Sequence, residues 1–264
     1  MDRCDAIASI GRRFVTGRRT VLVIAGSDSS GGAGVARDLA TLAASGVEAK
    51  VTITAVTAQT DEAVLAIHHV PPDIVRDQIR AALDGRGVAA IKIGMLGCRP
   101  TVEAVASGLE AAAGIPVVLD PVLVSSSGGE LLDAAGRAAM YECLFPHVTL
   151  LTPNIPEAAV ITGQPESETW ADIEHQARAI LRLGPRAVLV KGGHGGSRRS
   201  VDLLVERSQP VRRFDAARLS RSMRGTGCIL STRIAACLAS GASISGCCAI
   251  AKDYLWTVMQ QTGE

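Results

Sequence analysis

The chain has 264 residues, of which 47% are hydrophobic and 20% are charged, and its formal net charge is +1. This composition is typical of a folded globular protein and excludes a disordered or collagen-like chain. Only two Trp, two Tyr and three Phe are present. Together with the near-neutral charge, this argues against a nucleic-acid binder that stacks bases on aromatic side chains.

The first 19 residues carry five Arg against two Asp, and we expect a loosely ordered basic leader there, followed by one domain over residues 20–264. The leader's apolar stretch is too short for a secretory signal, so we predict a cytoplasmic protein with reduced cysteines. The longest uncharged run, 234–251, contains three Ser and two Gly. It predicts two buried helices separated by a turn near Gly241, and no membrane span.

Short apolar segments alternate with helix-length segments along most of the chain. Strands are predicted over 20–25, 51–56, 64–70 (an edge strand), 89–93, 116–119, 148–151 and 187–190. Helices are predicted over 34–45, 71–83, 101–113, 130–144, 155–162 and 170–183. A hairpin at 201–206 and 211–215 and helices from about 227 and 243 complete the chain. The pattern predicts a single doubly wound α/β domain with a mostly parallel sheet and helices on both faces.

The loop after the first strand is made of small residues and runs from Gly26 to Gly34. It matches neither a P-loop nor a G-x-G-x-x-G motif. Because it leads into a helix, its backbone N–H groups could face a ligand, although a plain tight turn explains it equally well.

Oxygen-bearing side chains follow two of the predicted strands. Asp120 ends the strand 116–119, while Asn154 and Glu157 come after the strand 148–151. Ligands of such sheets bind at the carboxyl ends of the strands, so these oxygens predict a Mg²⁺ site with Asp120 and Glu157 as ligands through water. Asn154 and Glu157 also fit a helix capping box, and the two roles are compatible.

A lysine closes the strand 187–190 and precedes the glycine-rich segment Gly192–Gly196. Glycine pairs let backbone approach a phosphate, and Lys191 adds a mobile cation. A hairpin turn would explain the glycines but not a Lys at the end of an apolar strand.

The segment Arg224-Gly225-Thr226-Gly227-Cys228 opens a predicted helix. Its N–H groups would converge at the positive end of the helix dipole, which suits a transferring phosphoryl group. Cys228 would lie in the first turn, where the helix field favours a thiolate. The alternative is a buried cysteine in a glycine-containing turn.

Several segments in the same order resemble one known family. They are AGSDSSGGAG (25–34), Asp38, ITAVTAQ (53–59), IKIGML (91–96), LDPV (119–122), LTPNIPEA (151–158), VLVKGGH (188–194) and GTGC (225–228). Together they resemble the ribokinase-like superfamily, and within it the bacterial hydroxymethylpyrimidine/phosphomethylpyrimidine kinases. The resemblance implies ATP-dependent phosphorylation of 4-amino-5-hydroxymethyl-2-methylpyrimidine and of its monophosphate, for thiamine biosynthesis, by a homodimer that uses Mg²⁺ and, as a further candidate, a monovalent cation.

The resemblance also implies a substrate pocket. Asp38 and Gln59 would hydrogen-bond the edge of the aminopyrimidine ring. No aromatic residue falls in the matching segments, so small and aliphatic side chains should hold the ring. The implied pocket consists of Gly26, Ala33, Asp38, Thr57, Gln59, Met95 and Val122.

For catalysis, the resemblance implies that the backbone of Gly225–Cys228 forms the anion hole, with Cys228 as the base. Lys191 would contact phosphate. Mg²⁺ and the ATP phosphates would be organised by Asp120, Asn154 and Glu157.

Several positions depart from the family pattern, among them Thr57, which is polar where an aliphatic residue is usual. Arg224 stands where members usually carry His, and Ser125-Ser126-Ser127 stands where a Lys is usual. These departures keep open a homologue that binds a pyrimidine without turning it over. A pyridoxal kinase of the same superfamily is the other alternative.

Overall fold

The computed structural model describes residues 19–84, 87–125, 128–192, 199–220 and 223–261. The basic leader, apart from Arg19, and the segment from Gly193 to Arg198 lie outside these ranges. The strands are β1 (Thr20–Asp28), β2 (Glu48–Gln59), β3 (Val64–His69), β4 (Val88–Ile93), β5 (Val117–Leu119), β6 (Leu150–Leu151), β7 (Ala187–Val190), β8 (Arg199–Glu206) and β9 (Arg212–Ala217). The helices are α1 (Gly34–Ala44), α2 (Pro72–Asp84), α3 (Arg99–Leu109), α4 (Ala134–Ala139), α5 (Ile155–Thr162), α6 (Trp170–Arg182), α7 (Thr226–Leu238) and α8 (Ile244–Gln261).

The strands form one sheet in the order β3-β2-β1-β4-β5-β6-β7-β8-β9. Strands β2, β1, β4, β5, β6 and β7 are mutually parallel. The edge strand β3 is antiparallel to β2, and the hairpin β8–β9 continues the sheet antiparallel to β7. The predicted doubly wound, mostly parallel architecture is confirmed.

Successive side chains of the central strands enter two apolar layers. In β1, Leu22 and Ile24 belong to the layer that contains residues of α2, α3, α5 and α6. Val21 and Val23 belong to the opposite layer, with residues of α1, α7 and α8. This burial on both faces explains why the strands read as continuous apolar runs.

The predicted helix 130–144 is wrong at its start. The Asp133 carboxylate accepts a hydrogen bond from the Gly136 N–H at 2.6 Å and caps a helix that begins only at Ala134. Residue Glu130 instead makes an isolated β-bridge with Val124. The helix also changes to a π-helical turn over Met140–Leu144, a local irregularity that apolar periodicity does not signal.

The turn between α7 and α8 lies at Gly241, as predicted, and Gly241 has a φ of +77°. Within the described ranges, no helix is long and apolar enough to cross a membrane.

Two strands extend well past their predicted ends and shape one side of the pocket described next. β1 continues to Asp28 and β2 to Gln59, and Asp28 pairs with Thr57. The Ser29 hydroxyl donates to the Gln59 carbonyl at 2.9 Å, and the Gln59 N–H donates to Ser29 Oγ at 2.8 Å. These bonds hold the end of β2 against the loop after β1.

Candidate active site

A pocket of about 250 Å³ opens at the carboxyl ends of the parallel strands. Such strand ends are the usual ligand-binding edge of doubly wound sheets. All but one of the predicted site residues lie on the wall of this pocket. Those residues are Gly26, Ala33, Thr57, Gln59, Met95, Asp120, Val122, Asn154, Glu157, Lys191, Gly225, Thr226, Gly227 and Cys228.

One end of the pocket is apolar. Met95 and Leu131 are buried in a small cluster with Ala55, and Val122 packs against it. A Cβ added at Gly26 would lie 3.0 Å from Met95 Sδ, so the glycine lets the Met95 side chain cover this part of the wall. Leu131 was not singled out in the sequence because it lies in a segment predicted to be helical.

Two polar side chains of β2 border this apolar end. The Thr57 hydroxyl lies 3.1 Å from the Ser27 carbonyl and 3.3 Å from Gln59 Oε1, so it can orient the Gln59 carboxamide. Among the described lining residues none is aromatic, so a ring placed in this pocket would lie against small and aliphatic side chains.

The N-terminus of α7 forms another part of the wall. Gly225 is its N-cap, with a φ of +73°, and a Cβ there would lie 2.4 Å from the Gly32 carbonyl oxygen. Both the conformation and the close approach require glycine. The first N–H groups of a helix have no partner within it, and no side chain caps this one within the described residues. They are therefore available to an anion.

A cation and two carboxylates lie beside this helix N-terminus. Lys191 Nζ is 2.7 Å from Asp120 Oδ1 and 3.9 Å from Glu157 Oε2. A Cβ at Gly227 would lie 3.1 Å from Asp120 Oδ2 and 3.3 Å from Lys191 Nζ. The helix start and the charged strand ends therefore meet in one place.

Glu157 belongs both to a helix cap and to the pocket. Its carboxylate accepts from the Asn154 N–H at 2.7 Å, and Asn154 Oδ1 accepts from the Glu157 N–H at 2.7 Å, which is the predicted capping box. Burial and the nearby Asp120 carboxylate raise the pKa of Glu157 to about 7, although Lys191 opposes the shift.

The donor set fits a magnesium ion that is bound largely by phosphate and water. The described residues hold no group of three or more His, Cys, Asp or Glu side chains placed to bind a metal ion. Asp120 and Glu157 do supply two buried carboxylates on the pocket wall. Mg²⁺ in phosphoryl-transfer sites is commonly held by one or two carboxylates together with substrate phosphates.

Cys228 lies in the first turn of α7 and lines the pocket, as expected, but its predicted thiolate character is wrong. Burial raises the pKa of the Cys228 thiol to about 11, outweighing the opposing effects of Lys92 and of a hydrogen bond from the Gly34 N–H. A helix N-terminus favours a thiolate, but here the loss of hydration dominates.

Asp38 is the predicted site residue that the structure does not bring to the pocket wall. Its side chain is fully buried, and its two oxygens accept from Lys92 Nζ at 2.6 Å and from the Thr232 hydroxyl at 2.7 Å. The expectation that Asp38 hydrogen-bonds a ligand directly is therefore not met. Lys92, which the sequence analysis did not single out, lies directly behind the pocket wall with no exposed side-chain surface; a lysine inside an apolar strand was the available signal.

Arg224 links three segments at the rim of the pocket. Its guanidinium donates to Ser30 Oγ at 2.9 Å, to the Thr60 carbonyl at 3.1 Å and to Asp61 Oδ1 at 2.8 Å. It also lies 3.2 Å from Asp28 Oδ2. Arg224 therefore joins the loop after β1 and the β2–β3 turn to the start of α7.

A second cluster that the sequence analysis missed also lines the pocket. Lys252 Nζ is 2.9 Å from both Asp202 Oδ2 and Ser200 Oγ, and Asp202 Oδ1 accepts from the Gly192 N–H at 3.0 Å. These contacts fix the first residue after Lys191. Charged residues within a mostly apolar strand and helix were the sequence signal.

Comparison with known proteins finds similarity to phosphomethylpyrimidine kinases and to a pyridoxal kinase. The family model described as phosphomethylpyrimidine kinase matches residues 28–264. The hydroxymethylpyrimidine/phosphomethylpyrimidine kinase of Rhizobium meliloti is 44% identical over 235 residues, covering 89% of this chain and 88% of that protein. The crystal structure of phosphomethylpyrimidine kinase from Clostridium difficile matches with a TM-score of 0.80 at 34% identity, over 91% of this chain and 99% of that one. An ADP complex of Bacillus subtilis pyridoxal kinase matches with a TM-score of 0.84 at 29% identity, over 93% of each chain.

Proposed function

This chain belongs to the phosphomethylpyrimidine kinase family, and from that premise we propose that its pocket transfers phosphoryl groups from ATP to a hydroxymethylpyrimidine. The first acceptor is the primary alcohol of 4-amino-5-hydroxymethyl-2-methylpyrimidine, and the second is the monophosphate formed from it. The product is the pyrimidine diphosphate used in thiamine biosynthesis.

The observation that carries this proposal is the convergence of two different surfaces in one pocket. The apolar wall of Met95 and Val122, bordered by the Gln59 carboxamide, suits a small heteroaromatic ring with a polar edge. The N-terminus of α7 and the Lys191 cation suit a phosphoryl group. A ring alcohol held at the first surface therefore has its acceptor oxygen near the second.

Catalysis in this arrangement comes mainly from positioning and charge neutralisation. The N–H groups at the start of α7 and the Lys191 ammonium stabilise negative charge on the transferring group. Asp120 and Glu157 would hold the hydrated Mg²⁺, which supplies further neutralisation of the phosphate charge when bound. Asp120 also holds Lys191 Nζ in place through their 2.7 Å contact.

Cys228 is the candidate acceptor for the proton of the alcohol. Its pKa of about 11 keeps most of the thiol protonated at neutral pH, so the reactive thiolate becomes more abundant as the pH rises. The second acceptor is a phosphate that is already ionised at neutral pH, and it needs a base much less. The two steps should therefore differ in their dependence on pH and on Cys228.

The test measures both phosphorylations in the Cys228→Ala variant. We expect the first step to fall by about 100-fold or more, since general base catalysis contributes roughly 10² to 10⁴, and the second step to fall much less. In the wild type, kcat/KM of the first step should increase with pH toward the thiol pKa, while that of the second should not follow this titration.

Cys237→Ala is the matched control because Cys237 lies on the same helix outside the pocket. It should leave both steps unchanged. Equal losses in both steps for Cys228→Ala would contradict the base role and leave Cys228 with a positioning role.

Pyridoxal is the second candidate acceptor, and the similarity to Bacillus subtilis pyridoxal kinase favours testing it. The comparison of kcat/KM for pyridoxal and for the pyrimidine alcohol decides between them, and we expect the pyrimidine alcohol to be preferred. Ligand binding without any pyrimidine-stimulated ADP release would contradict the kinase proposal and favour a non-catalytic homologue.

Three finer properties remain part of the proposal. We expect a homodimer, which sedimentation of the purified protein would check. We also expect a cytoplasmic location, and a monovalent cation as a candidate activator, which titration of K⁺ in the kinase assay would check.

A further inference from the structure

Asp202 joins the last helix of the fold to the backbone that follows Lys191. Lys252 Nζ of α8 lies 2.9 Å from both Asp202 Oδ2 and Ser200 Oγ, and the Lys252 and Asp202 side chains are only 8% and 4% exposed. The other carboxylate oxygen, Asp202 Oδ1, accepts the Gly192 N–H at 3.0 Å. Asp202 therefore uses one oxygen for the cation of α8 and the other for the chain that leaves β7.

The alternation of side chains along β8 explains why this carboxylate faces α8. Successive side chains of a strand point to opposite faces of the sheet, and Leu204 of β8 lies in the apolar layer that contains residues of α7 and α8. Ser200 and Asp202 are separated from Leu204 by even numbers of residues, so they face the same layer. Buried Lys and Asp side chains are stable there because they pair with each other.

Gly192 lies too close to β8 to carry a side chain. A Cβ added at Gly192 would collide with the Val201 carbonyl oxygen. Because only glycine permits this approach, the backbone after β7 comes within hydrogen-bond distance of Asp202. The side-chain hydrogen bond thus holds a residue whose backbone would otherwise have the most conformational freedom.

Both peptide groups that flank the Cα atom of Lys191 are held by hydrogen bonds. The Lys191 N–H donates to the Pro153 carbonyl at 2.8 Å, and the following peptide group is held through the Gly192 N–H. Since peptide groups are planar, fixing both of them sets the direction of the Cα–Cβ bond between them. This direction brings the Lys191 ammonium to within 2.7 Å of Asp120 Oδ1, beside the start of α7.

We propose that Asp202, anchored by Lys252, is a positioning residue for phosphoryl transfer, because its hydrogen bond to Gly192 directs the Lys191 ammonium toward the transferring group. This role rests on the proposed function, which supplies the phosphoryl group. Asp202 acts through Lys191 and needs no contact with the substrate. The reaction rate therefore depends on α8, a helix that carries none of the predicted site residues.

Two double variants that both lack the ion pair isolate the hydrogen bond. Asp202→Asn/Lys252→Met keeps an amide oxygen in place of Oδ1, whereas Asp202→Leu/Lys252→Met has no acceptor. Neither leaves a buried charge unpaired. We expect kcat of the Leu variant to be about 10- to 100-fold lower than that of the Asn variant, since misplacing a catalytic group costs about that much. KM for the pyrimidine alcohol should be nearly the same in both. Asp202→Val takes the place of Asp202→Leu if the larger side chain prevents folding.

The same comparison in a Lys191→Met background separates positioning from a direct role. If Asp202 acts through Lys191, the two double variants should have equal kcat once Lys191 is replaced. A difference that persists without Lys191 would overturn the proposal, because Asp202 would then act by another route. Asp253→Asn, at an exposed position of the same helix, is the control and should leave kcat unchanged.

A measurement without substrate keeps this test separate from the proposed function. Exchange of the Gly192 N–H with D₂O, followed by NMR of the ¹⁵N-labelled full-length protein, should be roughly 5- to 10-fold faster in the Leu variant than in the Asn variant. The Leu189 N–H, in the middle of β7, should be equally protected in both and so report that the sheet is intact.

The two measurements assign each failure to one of the two proposals. Equal exchange at Gly192, or equal kcat in an enzyme that phosphorylates the pyrimidine, would overturn the role of Asp202 and leave the proposed function intact. Faster exchange at Gly192 in a protein that phosphorylates no pyrimidine would overturn the proposed function, and Asp202 would position Lys191 for a different phosphoryl acceptor.

Discussion

Two Lys–Asp pairs lie against α7, and they differ chiefly in access to the pocket. Lys191 and Asp120 are 2.7 Å apart, with side chains 14% and 4% exposed. Lys92 and Asp38 are 2.6 Å apart, and both are 0% exposed. The same two residue types at nearly the same distance therefore occur in an open and a sealed setting.

The two lysines can therefore act differently, because Lys191 borders the pocket and Lys92 is buried. The Lys191 ammonium can turn from Asp120 toward a phosphate, since it has a second carboxylate neighbour in Glu157 and borders the pocket space. Lys92 has no such freedom because Asp38 and its Thr232 contact confine it. An open pair can exchange partners with a ligand, whereas a sealed pair supplies a fixed field.

The largest expected effect is the loss of stability when the sealed pair is broken. Lys92→Met leaves the Asp38 carboxylate buried and unpaired, and we expect the free energy of unfolding to fall by about 3–5 kcal/mol, measured by urea denaturation. Arg99→Met, at the exposed pair Arg99–Glu103, is the control and should change it little. The double variant Lys92→Met/Asp38→Leu should recover much of the loss; no recovery would contradict a charge-based cause.

Breaking the open pair should act on activity instead. Lys191→Met should reduce kcat by about 100- to 1000-fold, the usual effect of losing one group that stabilises transition-state charge. The unfolding free energy of Lys191→Met should fall by less than that of Lys92→Met, because Asp120 borders the pocket whereas Asp38 has no exposed surface. Lys191→Arg should restore part of the rate. If Lys191→Met lost much stability without a specific decrease in kcat, the proposed difference between the two pairs would be wrong.

A smaller effect is expected from the second carboxylate beside Lys191. Glu157→Gln preserves an oxygen for the capping box but removes the charge, so we expect the Mg²⁺ concentration for half-maximal activity to rise by about 10- to 100-fold. Since the pKa of Glu157 is about 7, the wild type should need less Mg²⁺ as the pH rises through this value, when the carboxylate loses its proton. The variant should lack this dependence.

Glu103→Gln, on an exposed helix surface, is the control for the magnesium titration. Thermal unfolding of Glu157→Gln should resemble that of the wild type if the capping box persists. An unchanged Mg²⁺ requirement in Glu157→Gln would remove this residue from the magnesium site.

Local patterns were enough to predict the fold and the charged part of the pocket wall, whereas the residues of its apolar part were implied only by the family resemblance. Apolar runs between helix-length segments predict the order of the strands and helices. Residues at strand ends, such as Asp120 and Lys191, lie at one edge of the sheet because parallel strands end together. The capping role of Asn154 followed from residue type and spacing alone.

The remaining features depend on contacts between distant segments. The family resemblance implies that Asp38 contacts the ligand, but only the packed structure shows that Lys92 and Thr232 occupy its carboxylate. The prediction of a Cys228 thiolate is wrong because it considers only the field of its own helix. The pKa of the thiol is set mainly by burial, which depends on all the elements around it. The start of α4 depended on the Asp133 cap, which apolar periodicity does not reveal.

The contacts of Arg224 have a consequence for how the protein is made. They join residues separated by 194, 164 and 163 positions, and the bond between Asp38 and Thr232 also spans 194 positions. Contacts of such long range form only after the intervening chain exists, and they slow folding because long loops must close. A nascent chain that has not yet reached α7 has its first strands available for pairing but has no complete pocket. Substrate binding can therefore report, during synthesis or refolding, that the last part of the chain has docked onto the first.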